Sequence, residues 1–171
     1  MKSAFSAAAT ILVLGAATAA LVQSAWAQNP SQIAHARKGA SCPGCNLFQA
    51  DFANLELKGR SFARARLRQA DMSTAVMNRT SFAGADLRDV NAYGAVFGGA
   101  NFAGANLTNA TFVGTFLEGA NFRGARLAGA NFSGAEMGRA TGLTQAQLNG
   151  ACGDAATVAP RGLHLAGCAK P

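Results

Sequence analysis

The chain has 171 residues, with 15 basic against 8 acidic side chains and a formal net charge of +7, a length that suits one domain rather than two. Half of its residues are apolar, yet 20 are glycine and only one each is tryptophan and tyrosine, so any core is built from small, regularly placed side chains. Two histidines leave little for acid–base catalysis, and the basic balance points towards anionic surfaces, polymers or nucleic acid.

The first 27 residues read as a secretion signal. Lys2 supplies the positive start, Ala7 to Val22 form an apolar run, and Ala25-Trp26-Ala27 fits the small-x-small cleavage rule, so the exported chain is expected to begin at Gln28 and to be periplasmic or secreted. The alternative is an uncleaved anchor, because the run approaches the roughly 20 residues that span a bilayer. Its alanines and threonines make it only weakly apolar, however, and the cleavage site follows at once. Residues 28–44 are expected to form a linker or lid that ends in Cys42-Pro43-Gly44-Cys45.

From Leu47 to Met137 a large apolar residue recurs at every fifth position through nineteen centres, with Ala92 as the single lapse. Alanine stands two residues before thirteen of the nineteen. Neither a helical period of 3.6 nor a strand period of 2 produces such spacing, which makes the repeat itself the organising feature of the chain.

Units such as Ala85-Asp86-Leu87-Arg88-Asp89, Ala105-Asn106-Leu107-Thr108-Asn109 and Ala120-Asn121-Phe122-Arg123-Gly124 resemble the pentapeptide repeat. That resemblance implies an all-β fold, a right-handed quadrilateral β-helix in which four units make one coil. The centre and the alanine then point inward and the other three positions outward. Reading every fourth centre tests this independently. Leu47, Leu67, Leu87, Leu107 and Leu127 form one pure column and Phe62, Phe82, Phe102 and Phe122 another. The remaining columns are mixed, the first through Phe52, Met72, Ala92, Phe112 and Phe132, the second through Leu57, Met77, Phe97, Leu117 and Met137. The solenoid is expected over 45–139.

Residues 140–171 are expected to form a short helix and a disulfide-closed cap. Thr144 and Gln147 have capping-box spacing, with Leu143 and Leu148 at the staple positions, and Gly150 is the expected stop. Four cysteines allow three pairings. On a rod with Cys42 and Cys45 at one end and Cys152 and Cys168 at the other, a disulfide's reach of about 7 Å between Cα atoms leaves Cys42 with Cys45 and Cys152 with Cys168.

The Cys42 and Cys45 spacing also suits an exchangeable redox pair, although the βαβ context of such motifs is lacking, and free thiols are a third alternative. Haem attachment would need histidine where Asn46 stands. His35 and His164 both lie outside the repeat, and a filled solenoid has no cleft in which to assemble a catalytic set. The expectation is therefore a non-enzyme with no cofactor or metal. Two surface features remain. Arg60, Arg64, Arg66, Arg68, Arg88, Arg123 and Arg126 fall on the leucine and phenylalanine columns against only Asp86 and Asp89, while the mixed columns carry more acid than base. Of these, Arg64, Arg66, Arg68, Arg88, Arg123 and Arg126 are the candidate anion-binding set. Val76, Tyr93, Val96, Val113 and Phe116 form a candidate outward apolar patch for a protein partner. The leading functional expectation is an exported structural or binding scaffold for an anionic polymer or envelope surface. A thiol redox protein is the alternative. Mimicry of DNA to protect a topoisomerase, the activity the resemblance implies, fits less well, since it calls for an acidic rod in the cytoplasm.

Overall fold

A computed structural model describes residues 28–169, so the expected signal segment lies outside the described residues. Parallel bridges connect each residue that precedes a centre to its counterpart twenty positions on, from Asn46 and Arg66 through to Asn121 and Thr141. With five-residue units, that register gives four units to a coil and a β-solenoid whose backbone hydrogen bonds run between coils. Leu67 N–H, for example, donates to Asp86 O at 2.8 Å and Arg66 N–H to Cys45 O at 2.8 Å.

Burial follows the unit. Centres such as Leu67, Phe82, Phe102 and Met137 are fully buried, as are the preceding Ala65, Ala100 and Ala135. Where threonine replaces that alanine, its hydroxyl is satisfied inside the core: Thr80 Oγ1 donates to Leu57 O at 2.8 Å and Thr115 Oγ1 to Ala92 O at 2.9 Å. A buried hydroxyl without such a partner would be costly. The lapse at Ala92 is offset within its own unit, because Val90 occupies the alanine position and is buried beside it.

Each unit turns at the second residue after its centre, where the backbone enters the left-handed region. Glycine fills many of these positions, including Gly84, Gly104 and Gly124, but Gln49, Asn54, Arg64, Gln69, Thr74, Arg79, Asp89 and Asn109 hold the same conformation with side chains attached. Only glycine adopts it without steric cost.

The segment 28–44, expected as linker or lid, contains a helix, α1 (Pro30–Arg37). Its start follows standard chemistry: the Asn29 side chain accepts from Gln32 N–H at 3.1 Å, and proline occupies the first turn, where no N–H is needed. α1 buries Ala36 and ties itself to the first coil. Gln32 Oε1 accepts from Asn46 N–H at 2.7 Å, and Arg37 pairs with Asp51 at 2.8 Å. Beyond it, Cys42 N–H donates to Ser61 O and Gly44 N–H to Ala63 O, both at 2.8 Å.

At the far end, α2 (Gln145–Leu148) carries a complete capping box between Thr144 and Gln147 and buries Leu148. Gln147 Nε2 donates to Phe122 O at 3.0 Å and to Ala125 O at 2.9 Å, so the helix is fastened to the last coil through its backbone. The tail then extends the ladder, with Cys152 bridged to Asn131 and Val158 to Glu136. Two short strands, β1 (Cys152–Gly153) and β2 (Ala166–Gly167), pair in parallel beyond it. Left open, the edge of the last coil would present unpaired N–H and C=O groups to other chains.

Candidate binding surfaces

The four cysteines form two local pairs. Cys42 and Cys45 are bonded with Cα atoms 5.4 Å apart, and Cys152 and Cys168 with Cα atoms 4.8 Å apart. Cys42 is buried against the first coil.

The expected basic set divides when its partners are followed. Arg88 makes a two-pronged contact with Asp86, Nε to Oδ1 and Nη2 to Oδ2, both at 2.7 Å. The hydrogen bond from Arg88 holds the Asp86 carboxyl below its usual range. Arg68 pairs with Asp89 at 3.3 Å, and the Arg66 guanidinium lies 5.3 Å from the Phe48 ring centroid. Arg64, Arg123 and Arg126, together with Arg60, are exposed and have no acidic partner among the described residues. Arg64 stands near the front of the rod and Arg123 and Arg126 near the back, three coils further on. Small residues such as Gly84, Gly104, Ala83 and Ala103 occupy the coils between. Arg126 also rims a shallow groove floored by Ala125, Leu127, Ala128 and Ala146 between the last coil and α2.

On the second mixed column the bridges run from Glu56 through Val76, Val96, Phe116 and Glu136 to Val158, so Val76, Val96 and Phe116 form an outward apolar run bounded by a glutamate at each end. Tyr93 at 57% and Phe116 at 37% are conspicuously exposed, while Val76, Val96 and Val113 are partly covered. Val158, 51% exposed, extends the same column and was not anticipated. It comes from the tail, where the five-residue period no longer marks position, so no sequence signal assigns it to a face.

Beside this column lies a groove of about 720 Å³ lined by Lys58, Gly59, Asn78, Arg79, Gly98, Gly99 and Phe116. Asn78, in its lining, has a buried Oδ1 with no hydrogen-bond partner among the described residues. Lys58 is matched by Glu56 at 2.6 Å and Arg139 by Glu118 at 2.8 Å, and the Arg139 contact lowers the Glu118 pKa.

With this geometry in place, the comparisons with known proteins are consistent. A model of pentapeptide repeats matches residues 61–99 and 100–139 in eight copies. A pentapeptide repeat protein from the Arabidopsis thaliana thylakoid lumen superimposes with a TM-score of 0.59 and 28% identity, over 67% of this chain and 88% of that one. Weaker likenesses include Rfr23, a pentapeptide repeat protein of the cyanobacterium Cyanothece 51142 (TM-score 0.30, 23% identity, 60% of this chain and 91% of that one). Another is QnrB1, a plasmid-mediated fluoroquinolone resistance protein (TM-score 0.36, 21% identity, 72% of this chain and 78% of that one). No curated protein sequence matches. The molecule is a repeat protein of the β-solenoid class. Its residues 61–139 carry the repeats of the pentapeptide repeat family.

Proposed function

We propose that the chain is an exported, non-enzymatic binding scaffold that presents arginines to an anionic polymer or envelope surface. Its proposed form is a right-handed, four-sided solenoid over 45–139, preceded by a removable signal over 1–27 and the segment 28–44, and closed by a helical and disulfide-bonded cap over 140–171. The carrying observation is the set Arg64, Arg123 and Arg126, exposed cations on the leucine and phenylalanine columns without acidic partners among the described residues. Arginine's planar fork pairs with phosphate or carboxylate through two hydrogen bonds. Exposed single pairs contribute only about 0–1 kcal/mol, so binding depends on several contacts at once and weakens as salt rises. Arg68 and Arg88, already engaged by Asp89 and Asp86, contribute less than the sequence suggests.

Export is supported by the signal pattern and by two disulfides, which persist in oxidising compartments. The similar plant protein comes from the thylakoid lumen.

The test is retention on heparin at low salt. Changing Arg64, Arg123 and Arg126 together to glutamine should lower the eluting salt concentration more than changing Lys38, Arg139 and Arg161 together. Equal losses would mean that total charge, not its placement, governs binding, and no retention of the unaltered protein would remove the reading. N-terminal sequencing of the protein recovered outside the cytosol should begin at Gln28, whereas an intact Met1 terminus on the recovered protein would contradict cleavage.

A further inference from the structure

The groove on the second mixed column is built from equivalent positions of successive coils. Lys58, Asn78 and Gly98 each follow a centre by one residue and stack along the rod, as the bridges of the adjoining column require. At the usual ~4.8 Å between strands the stack extends about 10 Å. It is open along this length, which suits a segment of an extended chain better than an enclosed small molecule.

Gly98 does not owe its glycine to the backbone, since its φ lies outside the left-handed region that Gly99 occupies. Space is the reason. A Cβ at Gly98 would lie 2.8 Å from Asn78 Oδ1 and 3.1 Å from the Phe116 ring. The missing side chain leaves room for both the Phe116 ring and the Asn78 amide. Asn78 Oδ1 is buried and has no hydrogen-bond partner among the described residues, an acceptor in want of a donor. Arg79, exposed at the groove's edge, has no acidic partner among the described residues, whereas Lys58 is neutralised by Glu56. The groove thus combines one uncompensated cation, one unmet acceptor and one aromatic face, 37% of the Phe116 side being open to solvent.

We propose that this groove binds a hexuronate unit of an acidic polysaccharide. The carboxylate pairs with Arg79, a ring hydroxyl donates to Asn78 Oδ1, and the C–H face of the sugar packs on Phe116. Exposed side chains change rotamer within picoseconds to nanoseconds, and Phe116 has solvent to turn into, so the amide oxygen comes within reach as the sugar settles. A neutral sugar offers nothing to Arg79. A simple carboxylate offers neither the donor nor the ring face. The site is separate from the Arg64, Arg123 and Arg126 side and does not depend on it.

The experiment titrates the disulfide-bonded protein with a galacturonate trisaccharide, with a neutral glucose trisaccharide and with acetate, following the Asn78 side-chain amide signals by NMR. The galacturonate trisaccharide should shift those signals, and the other two should not. Arg79→Gln and Phe116→Ala, both at exposed side chains, should each weaken binding at least tenfold. The triple change of Arg64, Arg123 and Arg126 to glutamine should alter it less than twofold. Unmoved Asn78 signals at millimolar ligand, or equal binding of the neutral trisaccharide, would overturn the proposal. So would loss of binding in the triple variant with retention in Arg79→Gln, which would move uronate recognition to the basic side and leave the scaffold reading standing.

Discussion

The Phe102 ring lies parallel to that of Phe82, with centroids 5.2 Å apart and planes 5° apart, and Phe122 repeats the arrangement on its other side at 5.1 Å and 14°. Phe97 of the second mixed column and Phe112 of the first meet Phe102 edge-on at 5.4 and 5.9 Å. Phe102 is therefore fixed by identical rings along the rod and crossed ones beside it. Phe102→Ala should cost about 3–5 kcal/mol, the range for buried phenylalanines. Thr108→Ala, on an outward position, should cost less than about 0.5 kcal/mol. Urea denaturation of both variants checks this, and similar midpoints would mean that the inward register is misassigned.

Two glycines separate backbone strain from crowding. A Cβ at Gly104 would meet nothing within 4 Å, so Gly104→Ala should show only the left-handed penalty, about 1 kcal/mol. At Gly142 the same atom would lie 2.6 Å from Arg123 N and 2.8 Å from Arg123 Cα. Gly142→Ala should therefore destabilise clearly more, because rigid backbone rather than a flexible side chain must give way. Thermal unfolding of the pair is the measurement, and equal losses would exclude the close approach.

The two disulfides close loops of different size. Cys152 and Cys168 are 16 residues apart and Cys42 and Cys45 only three. In the chain-entropy account the longer is worth about 3 kcal/mol and the shorter about 2 kcal/mol. Alanine at both Cys152 and Cys168 should lower the melting temperature more than alanine at both Cys42 and Cys45. The opposite order would indicate that the front staple holds α1 and the first coil together beyond its loop entropy.

Acid should weaken the rod through its paired carboxylates. Hydrogen bonds from Arg88 and Arg37 hold the Asp86 and Asp51 carboxyls below their ordinary 3.8, and Arg139 does the same for Glu118 below 4.5. A depressed native pKa means that the unfolded chain takes up protons first as pH falls. The stabilisation is therefore complete above about pH 5 and declines below about pH 4. Asp51 is exposed and Asp86 and Glu118 are only partly covered, so solvent screening keeps the effect modest. Arg88→Gln should flatten the acid limb of a plot of urea midpoint against pH, and an unchanged limb would show that the Asp86 contact does not contribute.

The repeat was legible because period, burial and register coincide in it: the spacing that sets Leu67 above Leu47 is the spacing of the hydrogen-bonded ladder. The capping box at Thr144 was equally readable, being a local arrangement. α1 escaped notice although Asn29-Pro30 is a helix-start signal, because its eight residues carry no amphipathic stripe and bury only Ala36. The surface was harder still. Charge could be assigned to columns from the sequence, but whether Arg88 reaches Asp86 or solvent depends on rotamers that no period encodes. Asn78 occupies an ordinary outward position of its unit, and nothing in the period marks its oxygen as buried and without a partner among the described residues.

The twenty-residue register also restricts how such a rod can change its length during descent. Duplicating one five-residue unit preserves the inward pattern but advances every later residue by one column. Phenylalanines would then stack on leucines, and arginines would move to a different side. Duplicating or deleting twenty residues leaves each column with its own kind. Viable length variants of this protein should thus differ by whole coils, with Arg64 and Arg123 drawn closer or further apart by one strand spacing per event, about 4.8 Å, as a gene's tandem copies are gained or lost.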